Sequence, residues 1–277
     1  MIYNREKLLL KAIELMGNQK GDSKTYLVKT MFLLRQSFDY EQAGYNFFPH
    51  HYGPYSNVIS EDLEHLKTEG LIKEDTREIT LEGKKLLEET QFNENITSKL
   101  NEITTNFSSL KQIKSFVYDN YKETTIKSND PRTKISAPTK GVCSVGYEGD
   151  TIDSFLNKLI LNNISLLIDV RKNAFSMKPA FRKKNLEKYL QKAGILYLHI
   201  PELGIDSDKR QNLESDDDYK ILFKEYEKQL PTNKDKVKQI LKLGEKQRVA
   251  LMCFEADHNH CHRGTLSNNL GTEVIHL

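Results

Sequence analysis

The pattern of apolar residues changes along the chain, and the change falls near residue 141. In the first half they recur three and four positions apart, which is the spacing of an amphipathic helix. This spacing, with the turn residues between the segments, predicts three helices and two short strands, at residues 8–16, 27–34, 56–69, 71–74 and 78–81. Three helices followed by a two-stranded wing predict a winged helix over residues 1–92.

A further run of apolar positions with helical spacing extends from Ile96 to Lys122 and predicts one long helix. The stretch from Glu123 to Lys140 is polar and contains two prolines, which interrupt helices. Residues 93–140 are therefore predicted to form a long helix and an interdomain linker.

The second half alternates short apolar runs with amphipathic segments. The runs predict five strands, at residues 142–146, 164–170, 195–200, 248–254 and 273–276, and the segments predict helices near Asp150, Lys183, Asp217 and Cys261. Strands separated by helices predict a parallel sheet covered on both faces. The expected class is α/β, with a three-layer parallel-sheet domain at 141–277 preceded by an α+β winged-helix domain and a long helix.

The composition limits the class of protein. A chain of 277 residues suits two domains of roughly 100–150 residues each, and no apolar run approaches the roughly 20 residues of a membrane helix. Residues 1–7 do not show the apolar core of a secretory signal. Three cysteines, an odd number, do not indicate a disulfide framework. We therefore expect a cytoplasmic protein with reduced thiols and no membrane partner.

Local charge is more informative than the net charge of +2. The segment 171–184 carries six Lys and Arg residues, no carboxylate and two phenylalanines. Cations interleaved with aromatics suit a phosphate or a nucleic acid, although a solvated basic loop has the same composition. The candidates for phosphate or nucleic-acid binding are Lys172, Lys178, Arg182 and Lys183.

Polar or glycine-rich residues follow four of the predicted strands. Because the carboxyl ends of parallel strands share one edge of the sheet, these residues are expected to meet in one pocket. Gly146 and Gly149 after the first strand allow a backbone to approach a ligand closely. The candidates for catalysis are Asp169, Arg171, Glu255, His262 and Arg263, and those for cofactor binding are Ser144, Gly146 and Tyr147.

The segment 252–263 holds two Cys, three His, one Arg and two carboxylates, so several chemistries compete there. Cys253, Cys261 and His262 are zinc-ligand types, but the two cysteines are eight positions apart rather than in a common knuckle. Zinc or another divalent metal is therefore an alternative, and the cofactor stays open. A nucleophilic Cys261 beside His262 is a second alternative, and Cys253 as a buried core residue is a third.

The interpretation we favour from these residues uses phosphate chemistry. Arg171 and Arg263 would clamp a phosphate, and Asp169 and Glu255 would act as general base or bind sugar hydroxyls. The competing interpretation is that these carboxylates and arginines form ion pairs that only tether loops to the sheet.

The region from about Ser144 to Asn269 also resembles the domain of unknown function 488 family. The motifs that carry the resemblance are Gly146-Tyr147, Asp169-Val170-Arg171, Leu203-Gly204, Leu251-Met252-Cys253-Phe254-Glu255 and Cys261-His262-Arg263. The resemblance implies an α/β fold with a site at these strand ends, and the family name states no reaction. Gly146-Tyr147-Glu148 stands where Gly-His-Ser is frequent, so any role of that histidine is absent.

The amino-terminal third resembles the winged-helix domains of antitoxin-associated Panacea and SocA-like proteins, on His51-Tyr52-Gly53-Pro54-Tyr55-Ser56 and the segment 62–72. This resemblance suggests a defence or toxin-antitoxin context. Residues 1–135 carry 19 Lys and Arg against 20 Asp and Glu, which does not favour DNA binding. The third helix nevertheless offers seven side chains that could read bases, namely Asn57, Ser60, Glu61, Asp62, Glu64, His65 and Lys67.

Together these observations predict an enzyme that acts on a phosphate or glycosidic bond of a nucleotide or nucleic acid, by hydrolysis or transfer, at the strand-end pocket. The alternative is a non-catalytic regulator that senses a nucleotide or binds DNA through the winged helix. A homodimer through the amino-terminal domain or the long helix is a further expectation left open.

Overall fold

In the computed structural model the described residues are 1–17, 24–128, 140–210 and 216–277. The chain divides into two compact units, Met1–Ile135 and Ser136–Leu277. Within the described ranges, no helix combines the length and the apolar character needed to cross a membrane.

The amino-terminal unit is built around one buried helix. Its elements are α1 (Asn4–Met16), α2 (Lys24–Ser37), α3 (Tyr40–Ala43), β1 (Phe48–His50), β2 (Gly53–Tyr55), α4 (Asn57–Thr68), α5 (Leu81–Glu88), α6 (Glu94–Asn106) and α7 (Leu110–Asn120). Nine consecutive residues of α2, from Tyr26 to Leu34, are buried, and α1, α6 and α7 pack around this helix. A helix buried on all sides is the centre of its core.

The two strands predicted at 71–74 and 78–81 are largely absent. Only the bridge between Ile72 and Ile79 forms there, and Thr80 instead caps α5 by accepting a hydrogen bond from the backbone N–H of Gly83. The two-stranded antiparallel sheet of the described residues is β1–β2, at the Tyr52-Gly53-Pro54-Tyr55 turn. The winged-helix resemblance therefore stays a hypothesis for this unit.

The prediction of one long helix from Ile96 to Lys122 is wrong. Two helices, α6 and α7, occupy this stretch, and both pack against α2 inside the amino-terminal unit. The break falls at residues 107–109, where Ser109 takes an extended conformation and accepts a hydrogen bond from the backbone N–H of Gln112. A serine in this role is a typical helix N-cap.

The third helix, α4, forms as predicted, but two of its polar residues point inward. Asp62 is buried and accepts hydrogen bonds from Arg5 at 2.8 and 2.9 Å and from the hydroxyl of Tyr45 at 2.7 Å. His65 lies against the buried Glu6, and Asn57 is also buried. The expectation that Asn57 and Asp62 are exposed for reading DNA is therefore wrong, and His65 is partly exposed beside Glu6.

The carboxy-terminal unit contains a five-stranded parallel sheet. Its elements are β3 (Gly141–Gly146), α8 (Ile152–Leu161), β4 (Leu166–Asp169), α9 (Lys183–Lys192), β5 (Leu196–His199), α10 (Asp216–Gln229), α11 (Lys234–Lys246), β6 (Arg248–Cys253), α12 (His262–Asn268) and β7 (Val274–His276). The strand order is β5-β4-β6-β3-β7, and all four neighbouring pairs are parallel. The α/β class and all five predicted strands are confirmed.

Alternate side chains of the central strands point to opposite faces of the sheet. On one face Leu166, Ile168 and Leu251 belong to a core shared with α10, α11 and α12. The register places Gly146 beside Cys253 and Asp169 beside Met252, so β3, β4 and β6 end together. This shared edge is where the predicted site residues lie.

Candidate functional site

A cavity of about 460 Å³ opens at the carboxyl ends of β3, β4 and β6. Its cationic and polar lining comes from the loop after β4, and Tyr147 and Phe254 belong to the loops after β3 and β6. The lining residues are Tyr147, Arg171, Lys172, Asn173, Phe175, Ser176, Met177, Lys178, Ile205, Cys253 and Phe254. The described lining thus includes three cations and no carboxylate.

Asp169 and Arg171 form a closed ion pair instead of two separate catalytic groups. Oδ1 of Asp169 accepts from Nε and the backbone N–H of Arg171, and Oδ2 accepts from Nη2 of Arg171 and from the hydroxyl of Tyr197. Four hydrogen bonds occupy a carboxylate's usual acceptor sites. Asp169 is fully buried and does not line the cavity, so its expected role as a general base does not fit this geometry.

Contact with Asp169 shifts the pKa values of Arg171 and Tyr197. Burial alone would lower the pKa of Arg171, but hydrogen bonds and the charge of Asp169 outweigh it and raise that pKa. Burial, followed by the charge of Asp169, raises the pKa of Tyr197. Arg171 is therefore a permanent cation, and Tyr197 remains a hydrogen-bond donor at neutral pH.

Tyr147 is at the centre of an aromatic cluster beneath the cavity. Its ring stacks on Phe181 with 4.2 Å between ring centroids, and its hydroxyl accepts a hydrogen bond from Nη1 of Arg171 at 2.8 Å. The predicted contribution of Tyr147 to a binding site is therefore compatible with its position. It supports the guanidinium of Arg171 and is one of the residues that line the cavity.

Gly146 and Ser144, the other two cofactor candidates, have structural contacts in this unit. A Cβ at Gly146 would lie 1.8 Å from the carbonyl oxygen of Glu255, so the glycine is required because the β6 loop packs against it. The hydroxyl of Ser144 is 2.7 Å from Nδ1 of His276 on β7. Neither residue lines the cavity. The space that was expected to admit a ligand at Gly146 is occupied by the loop after β6.

The basic segment is divided between the cavity and the surface. Lys172 and Lys178 line the cavity. Lys178 donates to the carbonyl oxygen of Asp150 at 2.9 Å, and Lys172 lies 3.5 Å from a carboxylate oxygen of Asp206. By contrast, Arg182 donates to the carbonyl of Ser176, and Lys183 is an exposed residue at the start of α9. Two of the four candidates are thus placed at the cavity.

Two thiols and an imidazole meet where β6 ends. Nδ1 of His262 lies 3.6 Å from Sγ of Cys253 and 3.8 Å from Sγ of Cys261, and all three residues are buried. Oε2 of Glu255 is 3.2 Å from Sγ of Cys253. Burial, followed by the neighbouring Cys253, raises the pKa of Cys261 well above its usual range. Such a thiol is not an activated nucleophile by itself.

Arg263 holds the loop that carries Glu255. Its guanidinium donates to the carbonyl oxygens of Glu255 and Ala256 and is almost completely buried. It does not line the cavity. The phosphate clamp expected from Arg171 and Arg263 is therefore not formed, because Arg263 binds main-chain carbonyls.

Comparison with known families is consistent with these motifs. Residues 151–270 match the family model described as Domain of unknown function DUF488. The carboxy-terminal unit is therefore similar to the DUF488 family over this range. A search of the curated proteins and a search of the solved structures each found no match to the chain. The matched DUF488 region includes all five catalytic candidates, and it begins after Ser144, Gly146 and Tyr147.

Several residues of the carboxy-terminal unit matter to the site but were not among the sequence candidates. Tyr197 bonds Asp169, and Phe254, Asn173 and Ser176 line the cavity. Asn173, Phe175 and Ser176 lie within the basic segment, so their position there could have identified them. No comparable signal marks Tyr197, because its contact depends on the pairing of β4 with β5.

Proposed function

We propose that the carboxy-terminal unit is an enzyme domain that binds a nucleotide or the phosphate backbone of a nucleic acid in the strand-end cavity. The observation that carries the proposal is the described lining, with three cations and no carboxylate at the carboxyl ends of a parallel sheet. Phosphates bind at this edge in many α/β proteins. The cavity volume of about 460 Å³ lies within the range of small-molecule sites.

The cavity has a cationic side and an aromatic side, which suits a ligand with two different ends. Lys172 and Lys178 supply ammonium groups for phosphate oxygens, while Phe175 and Phe254 are partly exposed at the cavity. A base that stacks on such a ring gains about 1–3 kcal/mol. Arg171 contributes less than the two lysines, because Asp169 compensates its charge and its contacts with Asp169, Tyr147 and Phe181 use most of its donors.

For the reaction we propose hydrolysis or transfer at a phosphate or glycosidic bond. Asp169 is a poor general base because its acceptor sites are occupied. Cys253 is the described lining residue that connects the cavity to Glu255 and His262. The chemical step would therefore take place at the end of the cavity where Cys253 lies, next to the bound phosphate.

Calorimetric titration of the full chain tests the binding half of the proposal. A nucleoside monophosphate should bind more tightly than its nucleoside or inorganic phosphate, because only it occupies both sides of the cavity. Lys172→Ala and Lys178→Ala should each weaken its binding by about 10-fold, since a hydrogen bond to a charged group contributes about 1.5–3 kcal/mol. Lys184→Ala is the control, because Lys184 is exposed on α9.

Phe254→Ala separates the aromatic side from the cationic side. It should weaken binding of the monophosphate by about 10-fold and leave inorganic phosphate unchanged, because only the base stacks on the ring. The proposal would be contradicted if the parent chain, Lys172→Ala and Lys178→Ala bound the nucleoside monophosphate with equal affinity. Nucleotide binding without turnover of nucleotides or short oligonucleotides would favour the alternative of a nucleotide-sensing regulator.

The winged-helix resemblance suggests a role for the amino-terminal unit in the same proposal. Asp62 and His65 of α4 pair with residues of α1, so fewer side chains remain to read bases. We therefore favour protein contact over sequence-specific DNA binding for this unit. Anisotropy titration with duplex DNA at low and moderate salt is the test, because DNA binding would be tight and strongly salt-dependent.

A further inference from the structure

The cluster at the end of β6 has the composition of a metal site. Sγ of Cys253, Sγ of Cys261 and Nδ1 of His262 lie within 4.8 Å of one another, and all three residues are buried. They come from two segments, the end of β6 and the first turn of α12. The β6 loop between them therefore has to fold back to bring its two ends together.

The imidazole of His262 is oriented by a second contact. Its Nε2 lies 3.0 Å from the carbonyl oxygen of Val170, which can only accept a hydrogen bond. Nε2 therefore carries the hydrogen, and in the neutral ring the lone pair of Nδ1 faces the two sulfur atoms. Metal-binding histidines commonly donate their other ring N–H to a carbonyl or carboxylate in this way.

The distances agree with a tetrahedral centre. Zinc–sulfur bonds of about 2.3 Å and zinc–nitrogen bonds of about 2.0–2.1 Å place neighbouring S and N ligands about 3.6 Å apart at the tetrahedral angle. The two sulfur atoms lie 3.6 and 3.8 Å from Nδ1 of His262. The two sulfur atoms lie within 4.8 Å of each other, so a small movement of the cysteine side chains lets one ion contact all three atoms.

The carboxylate of Glu255 lies next to Cys253, outside the set of three side chains whose ligand atoms lie within 4.8 Å of one another. Its Oε2 is 3.2 Å from Sγ of Cys253, and the backbone that carries it is fixed from two sides. Arg263 binds the carbonyls of Glu255 and Ala256, and a carboxylate oxygen of Glu148 accepts from the N–H of Ala256 at 2.9 Å. Gly146 leaves the space for this loop. These contacts position the carboxylate beside the three-atom cluster.

We propose that Cys253, Cys261 and His262 bind one zinc ion that joins the end of β6 to the start of α12, and that rotation of the Glu255 side chain brings its carboxylate in as the fourth ligand. Two sulfurs, one nitrogen and one oxygen form a ligand set that tetrahedral zinc accepts. Binding releases the two thiol protons and leaves two thiolates neutralised by the ion. Cys253 also lines the strand-end cavity, so the ion lies beside that cavity, but the zinc site does not depend on a ligand there.

Metal content of the full-length protein is the first test. Protein produced with zinc and purified without chelator should contain about one zinc per chain, as measured by inductively coupled plasma mass spectrometry. Replacement of zinc by cobalt should produce the visible absorption of a tetrahedral cobalt–thiolate centre. This second measurement uses the unmutated chain, so it remains decisive if a variant fails to fold.

Variants identify the ligands. Cys253→Ser, Cys261→Ser and His262→Gln should each lower bound zinc to about a tenth of the parent value or less, because each removes a ligand. Glu255→Gln should retain zinc with at least about 10-fold weaker affinity in competition with a chelator. Cys143→Ser is the matched control, since this third buried cysteine lies beside Arg248 and outside the cluster.

Three results would overturn the proposal. The first is a parent protein that contains no metal and takes up neither zinc nor cobalt after reduction. The second is full zinc content in Cys253→Ser or Cys261→Ser. The third is a Cys253–Cys261 disulfide in protein alkylated at lysis. Unchanged zinc affinity in Glu255→Gln would overturn the assignment of the fourth ligand, and none of these readouts involves a nucleotide.

Discussion

At the scale of single residues, the Asp169–Arg171 pair is the feature that most limits mechanism. Both side chains are buried, and the shortest contact between them, from Nη2 to Oδ2, is 2.6 Å. A buried pair has a high desolvation cost, so removal of one partner is much worse than removal of both. The pair is therefore a structural support for the cavity wall in which Arg171 lies.

Asp169→Asn tests this role. The substitution keeps the shape but leaves the charge of Arg171 buried without compensation, so it should cost about 3–5 kcal/mol in the free energy of unfolding. Urea denaturation measures the loss. Tyr197→Phe removes one hydrogen bond to the same carboxylate and should cost only about 1 kcal/mol. Equal, small losses for both variants would contradict a buried ion pair at this position.

Lys29 is the corresponding buried charge of the amino-terminal unit. It is fully buried on α2, and its ammonium group donates to the carbonyl oxygen of Tyr52 at 2.6 Å. Burial, with a smaller effect of Lys114, lowers the pKa of Lys29 to about 8. The unfolded chain, with an ordinary lysine pKa, thus binds more protons than the folded chain between about pH 8 and pH 10.

Stability should therefore rise with pH in that window, because the folded state no longer holds a buried charge above about pH 8. Relative to Lys29→Met, the free energy of unfolding of the parent protein should increase by up to about 3 kcal/mol between pH 7 and pH 10. Urea denaturation of both proteins across this range measures the difference. Lys111→Met, at an exposed position of α7, controls for loss of a positive charge. A constant difference between parent and Lys29→Met would contradict the prediction.

At the scale of elements, continuous apolar runs predicted the strands reliably, whereas helical spacing of apolar residues predicted the ends of helices less well. All five strands of the parallel sheet could be predicted from their apolar runs. The central strands β3, β4 and β6 are buried and show no polar alternation, whereas the edge strands β5 and β7 are partly exposed. The helical repeat across residues 96–122 did not reveal the break at 107–109, because the apolar spacing continues through both helices. The signal for the break is the Ser108-Ser109 pair.

Ser109→Ala tests that signal. Loss of the N-cap should cost about 1 kcal/mol in the stability of the amino-terminal unit, since the backbone N–H of Gln112 loses its acceptor. Ser108→Ala is the control, because the Ser108 hydroxyl donates only to the exposed side chain of Gln112. Thermal unfolding of the two variants under the same conditions compares them. A larger loss in Ser108→Ala would show that Ser109 is not the residue that starts α7.

The candidate site shows what strand-end reasoning can and cannot supply. It placed Tyr147, Arg171 and Cys253 at one edge, and these residues line the cavity together with Lys172 and Lys178, which were candidates from local charge. It could not show which of these polar groups already have hydrogen-bond partners in the fold, because the partners come from other strands and loops. Tyr197 reaches Asp169 from the neighbouring strand, and the carbonyl of Val170 orients His262.

At the scale of the whole molecule, the buried apolar side chains of the described residues divide between the two units. The amino-terminal core is formed by α1, α2, α4, α6 and α7 with their neighbours, and a carboxy-terminal core is formed by one face of the sheet with α10, α11 and α12. The cavity, the four proposed zinc ligands and all five strands of the parallel sheet belong to the carboxy-terminal unit. Each core contains enough buried apolar side chains for a domain of its size.

A fragment of residues 136–277 should therefore fold alone and unfold cooperatively in urea. Because the denaturant slope scales with the surface exposed on unfolding, its slope and midpoint should match one of two transitions of the full chain. The metal content per chain should also be the same in fragment and full-length protein, since all four proposed ligands are present. Zinc-dependent unfolding of the fragment would link the ion to the stability of the β6–α12 connection. A fragment that aggregates in the presence of zinc and reductant would show that the carboxy-terminal core requires the amino-terminal unit.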